Sequence, residues 1–195
     1  MRRQAILPLV LSFFLLAPVM ADTARQADRQ DSPGPLDIKS VAQRHGRKQL
    51  VHRLSTYKGW RGKSLRGYNR WIVFWISTND GPRDPEGPER QVWIDYRDGR
   101  LRAVVLRASG GLHATLDEEV GKATVRRPNR RTLVVRFPER LLGRDVANYR
   151  WYAETSWRTR RGPCSYDGPG IADNPHPFGL EGPCFDTSRE LRHRL

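Results

Sequence analysis

The chain is poor in the residues that usually announce chemistry. Of its 195 residues only two are cysteine and two methionine, and its five histidines show no ligand spacing. It has no Gly-x-Ser-x-Gly elbow, no His-Glu-x-x-His pair and no phosphate-binding loop. The commonest hydrolase, zinc-protease and nucleotide-binding signatures are therefore missing. No stretch has the period of an amphipathic helix, and no long apolar run follows the first twenty residues, so no membrane span is expected. Lysine is scarce too. The formal charge of +14 comes almost wholly from arginine.

What is present begins with a leader. Met1-Arg2-Arg3, an apolar run from Ala5 to Ala17, and Pro18-Val19-Met20-Ala21 form a charged start, an apolar core and a small-residue cleavage pattern. A signal peptide over 1–21 and a secreted, extracellular protein are expected, with a retained anchor as the alternative. Residues 22–35 read as a mobile polar leader ending in Ser32-Pro33-Gly34-Pro35. Residues 36–160 read as one domain, and 161–195 as a segment closed by a Cys164–Cys184 disulfide. Closing a loop of about 20 residues would add roughly 3 kcal/mol. A zinc site using His176 and His193 is the alternative for those cysteines.

Short β-branched and aromatic runs recur about every ten residues, separated by turn chemistry. Arg70 to Thr78 is the most apolar of them and reads as a central strand, Ile72, Phe74 and Ile76 on one face and Trp71, Val73 and Trp75 on the other. Arg90–Arg97 and Arg100–Arg107 flank Asp98-Gly99, the strongest short hairpin signal. A two-residue turn there pairs Tyr96 with Leu101, Ile94 with Ala103 and Val92 with Val105, all on one face. Asp95 meets Arg102 and Trp93 meets Val104 on the other. Further strands are expected at Leu36–Ala42, Gln49–Tyr57, Leu112–Leu116, Val120–Arg126, Thr132–Phe137 and Tyr149–Trp157. Asp117-Glu118-Glu119 reads as a turn, and Glu139–Gly143 as a short helical turn. The expected fold is an all-β antiparallel sandwich, jelly-roll-like, with a closed barrel as the runner-up.

With the Ile72/Phe74/Ile76 face in the core, Trp71, Trp75 and Trp93 form an aromatic stripe on the outside. Gln91, Asp95 and Arg102 lie beside it. Flat aromatic rings suit the apolar faces of sugars, and the polar neighbours could bond hydroxyls. A second small core is the competing reading of the stripe. Asp80 and Asp84 lie in an acidic, proline-broken loop that could hold calcium through hard oxygen ligands. Glu118 and Glu119 are the weak candidates for a hydrolase carboxylate pair. His52, on an apolar strand face, reads as a core histidine. The arginine excess suits an anionic cell-surface polymer, although the arginines are spread along every segment. Nucleic acid is not expected for an exported chain.

Three pieces carry a resemblance. Asp28-x-x-Asp31 with Pro35-Leu36-Asp37-Ile38, Trp71 to Ser77 with Asn79-Asp80, and Leu133 to Pro138 with Leu141-Leu142-Gly143 resemble elements of DOMON-like β-sandwiches. That group includes the family 9 carbohydrate-binding modules. Tyr149-Arg150-Trp151-Tyr152-Ala153 is similar to a strand of small secreted bacterial proteins of unassigned function. The resemblance implies a jelly-roll-like sandwich that binds sugars, haem or other ligands without catalysis. It also implies a structural calcium, for which Asp28, Asp31 and Asp37 are the candidate ligands; no other cofactor is expected. The resulting expectation is a monomeric, non-enzymatic binding module for an extracellular polysaccharide. A structural or protein-interaction role at the cell surface is the alternative.

Overall fold

Period-2 alternation sets the architecture, because each strand has one face that must leave water. A computed structural model describes residues 23–30, 34–67, 70–78, 89–107, 118–143, 148–157 and 184–194. In it the strands are β1 (Thr23–Ala27), β2 (Ile38–Gly46), β3 (Gln49–Thr56), β4 (Trp71–Ser77), β5 (Arg90–Arg97) and β6 (Arg100–Arg107). They continue as β7 (Glu118–Asn129), β8 (Thr132–Pro138), β9 (Asn148–Trp157), β10 (Cys184–Thr187) and β11 (Leu191–Arg194). All pairings are antiparallel, in the order β1-β2-β3-β8-β7-β6-β5-β4-β9-β10. β11 shares the outer edge of β9 with β10.

The two layers of a sandwich are here two halves of one curled sheet, a half-barrel. β7 makes the continuity. Its first half pairs with β6 and its second, from Thr124, with β8, so one long strand turns the corner. A register irregularity between Val105 and Leu106 accompanies the bend, as bulges do where sheets curve. The curl brings the ends of the sheet together. The Thr155 hydroxyl donates to Leu36 O at 3.0 Å, and the Asp186 carboxylate accepts from Ile38 N.

The interior is one core. Leu50, Leu54, Val135 and Phe137 from one half meet Ile72, Phe74, Ile94 and Trp151 from the other, all buried. The hairpin register is the expected one, from Tyr96↔Leu101 to Trp93↔Val104. Asp98 and Gly99 take positive φ, 50° and 78°, as a two-residue turn of the type favouring right-handed twist requires.

Several expectations change. Thr23–Ala27, read as mobile leader, is a strand paired with β2. Its partner presents an unpaired edge, which Thr23 to Ala27 fill. Glu118 and Glu119, read as a turn, lie in β7 and sit opposite Arg107 and Leu106. The expected signal peptide over 1–21, Asp31, Asp80, Asp84, Leu112–Leu116 and Cys164 lie outside the described residues. So does the expected Cys164–Cys184 bond, since of Cys184 only the backbone in β10 is described.

Gly34 packs where the chain passes Trp157, which is almost fully buried. A Cβ there would overlap the Trp157 indole. Gly34→Ala is expected to lower stability by about 1–3 kcal/mol through overpacking. The urea midpoint checks it.

Candidate functional site

The outer face of β4, β5, β6 and β9 carries the aromatic stripe. Because Ile72, Phe74 and Ile76 face the core, Trp71, Val73 and Trp75 face outward. Because Val92 and Ile94 face the core, Gln91, Trp93 and Asp95 lie on the outer side as well, where Val73 and Gln91 are nonetheless buried. All three tryptophans are half-buried. They divide into two pairs. Trp71 lies against Trp93, centroids 5.0 Å apart at 39°. Trp75 stacks on Tyr152 across the β4–β9 pair, centroids 6.2 Å apart at 24°.

Four of the six expected ligand residues line one depression of about 420 Å³: Gln91, Trp93, Asp95 and Arg102. Val104 and Leu106 add an apolar floor, and Arg97 and Glu119 charged walls. Trp71 supports this trough through Trp93, and Trp75 points to β9 instead. Three of the trough's four charged lining residues are in ion pairs. Arg97 Nε lies 2.7 Å from Asp95 Oδ2, and Arg102 pairs with Asp98. Such a surface offers donors and acceptors beside an apolar ring, with Glu119, among the described residues, the one lining charge outside an ion pair. Through the ladder Glu119 aligns with Gln91, four residues from Asp95 on β5. That is about 13 Å along the strand. These two carboxylates therefore stand outside the roughly 5–10 Å separation of glycosidase pairs. Glu118 is engaged by Arg107 at 3.3 Å.

Beside the trough lies Glu154, whose carboxylate accepts from Trp75 Nε1 at 3.2 Å. Burial pushes its pKa up to about 7, partly countered by that hydrogen bond. Sequence reading missed Glu154, Arg97 and Tyr152, and it singled out Glu119 only as a hydrolase carboxylate. Continuing the register of the Asp98-Gly99 hairpin by one more pair on that face would have placed Leu106 opposite Gln91.

Sequence reading also missed a histidine cluster. His45 and His193, 148 residues apart in the chain, meet where the sheet's ends approach, and Tyr149 links His193 to His52. His45 Nε2 lies 2.8 Å from Glu139 Oε2, and His45 Nδ1 lies 3.2 Å from His193 Nε2. Tyr149 packs on His193 with centroids 4.6 Å apart, and its hydroxyl is 3.3 Å from His52 Nε2. His52 is fully buried among Phe74, Phe137 and Trp151. Burial, then the charge of His193, pushes its pKa down to about 3, so it is neutral in the folded chain.

For the calcium reading, Asp28 lies just past β1 and Asp37 just before β2. The Asp28 carbonyl accepts from the Tyr57 hydroxyl at 2.6 Å and the Asp37 carbonyl from Tyr57 N at 3.0 Å. Among the described residues no group of three or more His, Cys, Asp or Glu side chains could hold a metal ion, and none of the helices is long and apolar enough to cross a membrane. Compared with protein-family models and with curated proteins, the chain matches neither.

Proposed function

We propose that the chain is an extracellular, non-catalytic binding module whose trough takes a neutral sugar of a polysaccharide. One observation carries this reading: half-buried Trp93, braced by Trp71, forms an aromatic surface inside a depression that also presents Asp95 and Arg102. An indole face stacks on the apolar face of a pyranose, and carboxylate and guanidinium bond its hydroxyls. The pairing of Asp95 with Arg97 and of Arg102 with Asp98 supports a neutral rather than a charged ligand. Export rests on the leader over 1–21. The jelly-roll-like kinship with DOMON-like sandwiches and the Cys164–Cys184 closure belong to the same proposal.

Probing a glycan array with the protein tests it. Selective retention by neutral glycans, reduced at least tenfold by Trp93→Ala, is expected. A blank array, or retention that ignores Trp93, favours the alternative role as a structural or protein-interaction component.

A further inference from the structure

The opposite half of the sheet has a different outer surface. In one row across the strands, Arg25 of β1 sits opposite Ala42, Ala42 opposite Arg53, Arg53 opposite Val134, and Val134 opposite Arg126. In the next row Arg44 sits opposite Val51 and Val51 opposite Arg136. All five arginines are exposed, and the residues between them are alanine or valine. The guanidiniums thus form a staggered lattice, each two strands from the next in its row. With strands about 4.8 Å apart, that is about 10 Å between cations and about 19 Å from Arg25 to Arg126 along the sheet.

The third row is Ala27–Ser40–Ser55–Thr132–Asn129, without a charge. Its hydroxyls and amide line a cleft of about 440 Å³, flanked by Arg25, Lys39, Arg130 and Arg131. No carboxylate lines it. The turn bearing Arg130 and Arg131 is held firmly. Arg131 N donates to Asn129 Oδ1 at 2.8 Å, and the carbonyls of Arg130 and Arg131 accept from Trp60 N and Thr56 N at 3.0 and 2.9 Å.

Pairing makes the contrast decisive. On the trough side Arg97, Arg102, Arg107 and Arg150 each face a carboxylate. Among the described residues none of the five lattice arginines has an ion pair, and the three rows contain no Asp or Glu. Arginines scattered in sequence are collected by register onto one face, where they repel each other without compensation. Guanidiniums bind phosphate and sulfate oxygens bidentately, and the hydroxyl row adds donors.

We propose that this face and its cleft bind a linear polysaccharide bearing phosphate or sulfate esters, at a site independent of the trough. A single small anion cannot reach cations spread over about 19 Å, so the ligand is extended. The face has no aromatic side chain in its three rows on which a nucleobase would stack, which favours esters on a sugar chain over single-stranded nucleic acid.

Binding of the full chain to dextran sulfate, followed at rising salt, tests the site. The triple variant Arg53→Gln/Arg126→Gln/Arg131→Gln should lose at least tenfold in affinity. Arg66→Gln/Arg100→Gln/Arg189→Gln removes the same net charge from exposed positions elsewhere and should lose less than twofold. Trp93→Ala should leave this binding unchanged, which separates it from the trough's ligand. Equal losses in the two triple variants would reduce the effect to net charge and overturn the proposal. Inorganic phosphate competing as well as dextran sulfate at equal phosphate or sulfate concentration would overturn the extended ligand. Tighter binding of oligo(dT) than of dextran sulfate at the same salt would overturn the polysaccharide assignment.

Discussion

Between pH 7 and pH 4.5 the native chain is expected to lose about 2.5 kcal/mol relative to a His52→Leu variant. His52 is held neutral in the folded state, with its pKa near 3. In the unfolded chain it titrates at about 6.5. Below that value the unfolded state binds a proton that the folded state refuses. Stability therefore falls as pH drops from 6.5, by about 1.4 kcal/mol per pH unit, until the folded group itself titrates near 3. Glu154 acts in the opposite sense. Its pKa of about 7 lies above the unfolded carboxyl's, so the folded state takes up its proton first. Stability from Glu154 is present at low pH and is lost as pH rises through 7. The two contributions nearly cancel between pH 4.5 and 6.5, and each single variant uncovers the other. Glu154→Gln should steepen the acid loss, and His52→Leu should turn it into a gain. Urea unfolding of the three proteins at pH 7, 5.5 and 4.5 measures this. Parallel curves would show that neither group is shifted as described.

Trp151→Ala is expected to cost about 3–5 kcal/mol. Trp151 is fully buried, packs against His52 with centroids 4.6 Å apart and against Phe74 at 6.1 Å, and lies opposite Ile76 on β4 and Leu191 on β11. Removing it empties the place where the sheet's two halves meet. The surrounding rings are held by strands on several sides and can collapse only partly. Trp93→Ala should cost less, since Trp93 is half-buried on the outer face whereas Trp151 is fully buried. Denaturant midpoints for the two variants check the contrast. That contrast also shows that any binding lost with Trp93 is not loss of the fold.

Much of the fold was legible locally. Alternation over Trp71–Ser77 assigned its two faces, and Asp98-Gly99 fixed a register that the structure repeats residue for residue. These features need only neighbours in sequence. The single curled sheet was not legible, because it depends on β7 pairing with β6 at one end and β8 at the other. Nothing in a strand's own composition says that it will turn a corner. β1 was hidden for a related reason: a short polar strand on a sheet edge gains its order from its partner's open backbone groups.

The trough was half legible. Trp93, Gln91, Asp95 and Arg102 follow from one hairpin's parity. Trp75 went elsewhere because β9, its other neighbour, offered Tyr152 and Glu154. The arginine lattice and the His45–His193 contact were invisible, since both are made by residues on strands remote in the chain. Arginine composition alone resembles bias; its unpaired placement on one face does not.

The central claim is that the trough around Trp93 recognises neutral sugar rings. Electrophoretic migration of the native protein through gels containing neutral polysaccharides, in enough salt to screen the arginine face, tests it most directly. At least one such polymer is expected to retard the native protein and the Arg53→Gln/Arg126→Gln/Arg131→Gln variant equally and to leave Trp93→Ala unretarded. Equal retardation of the native protein and Trp93→Ala by every polymer that binds would contradict it.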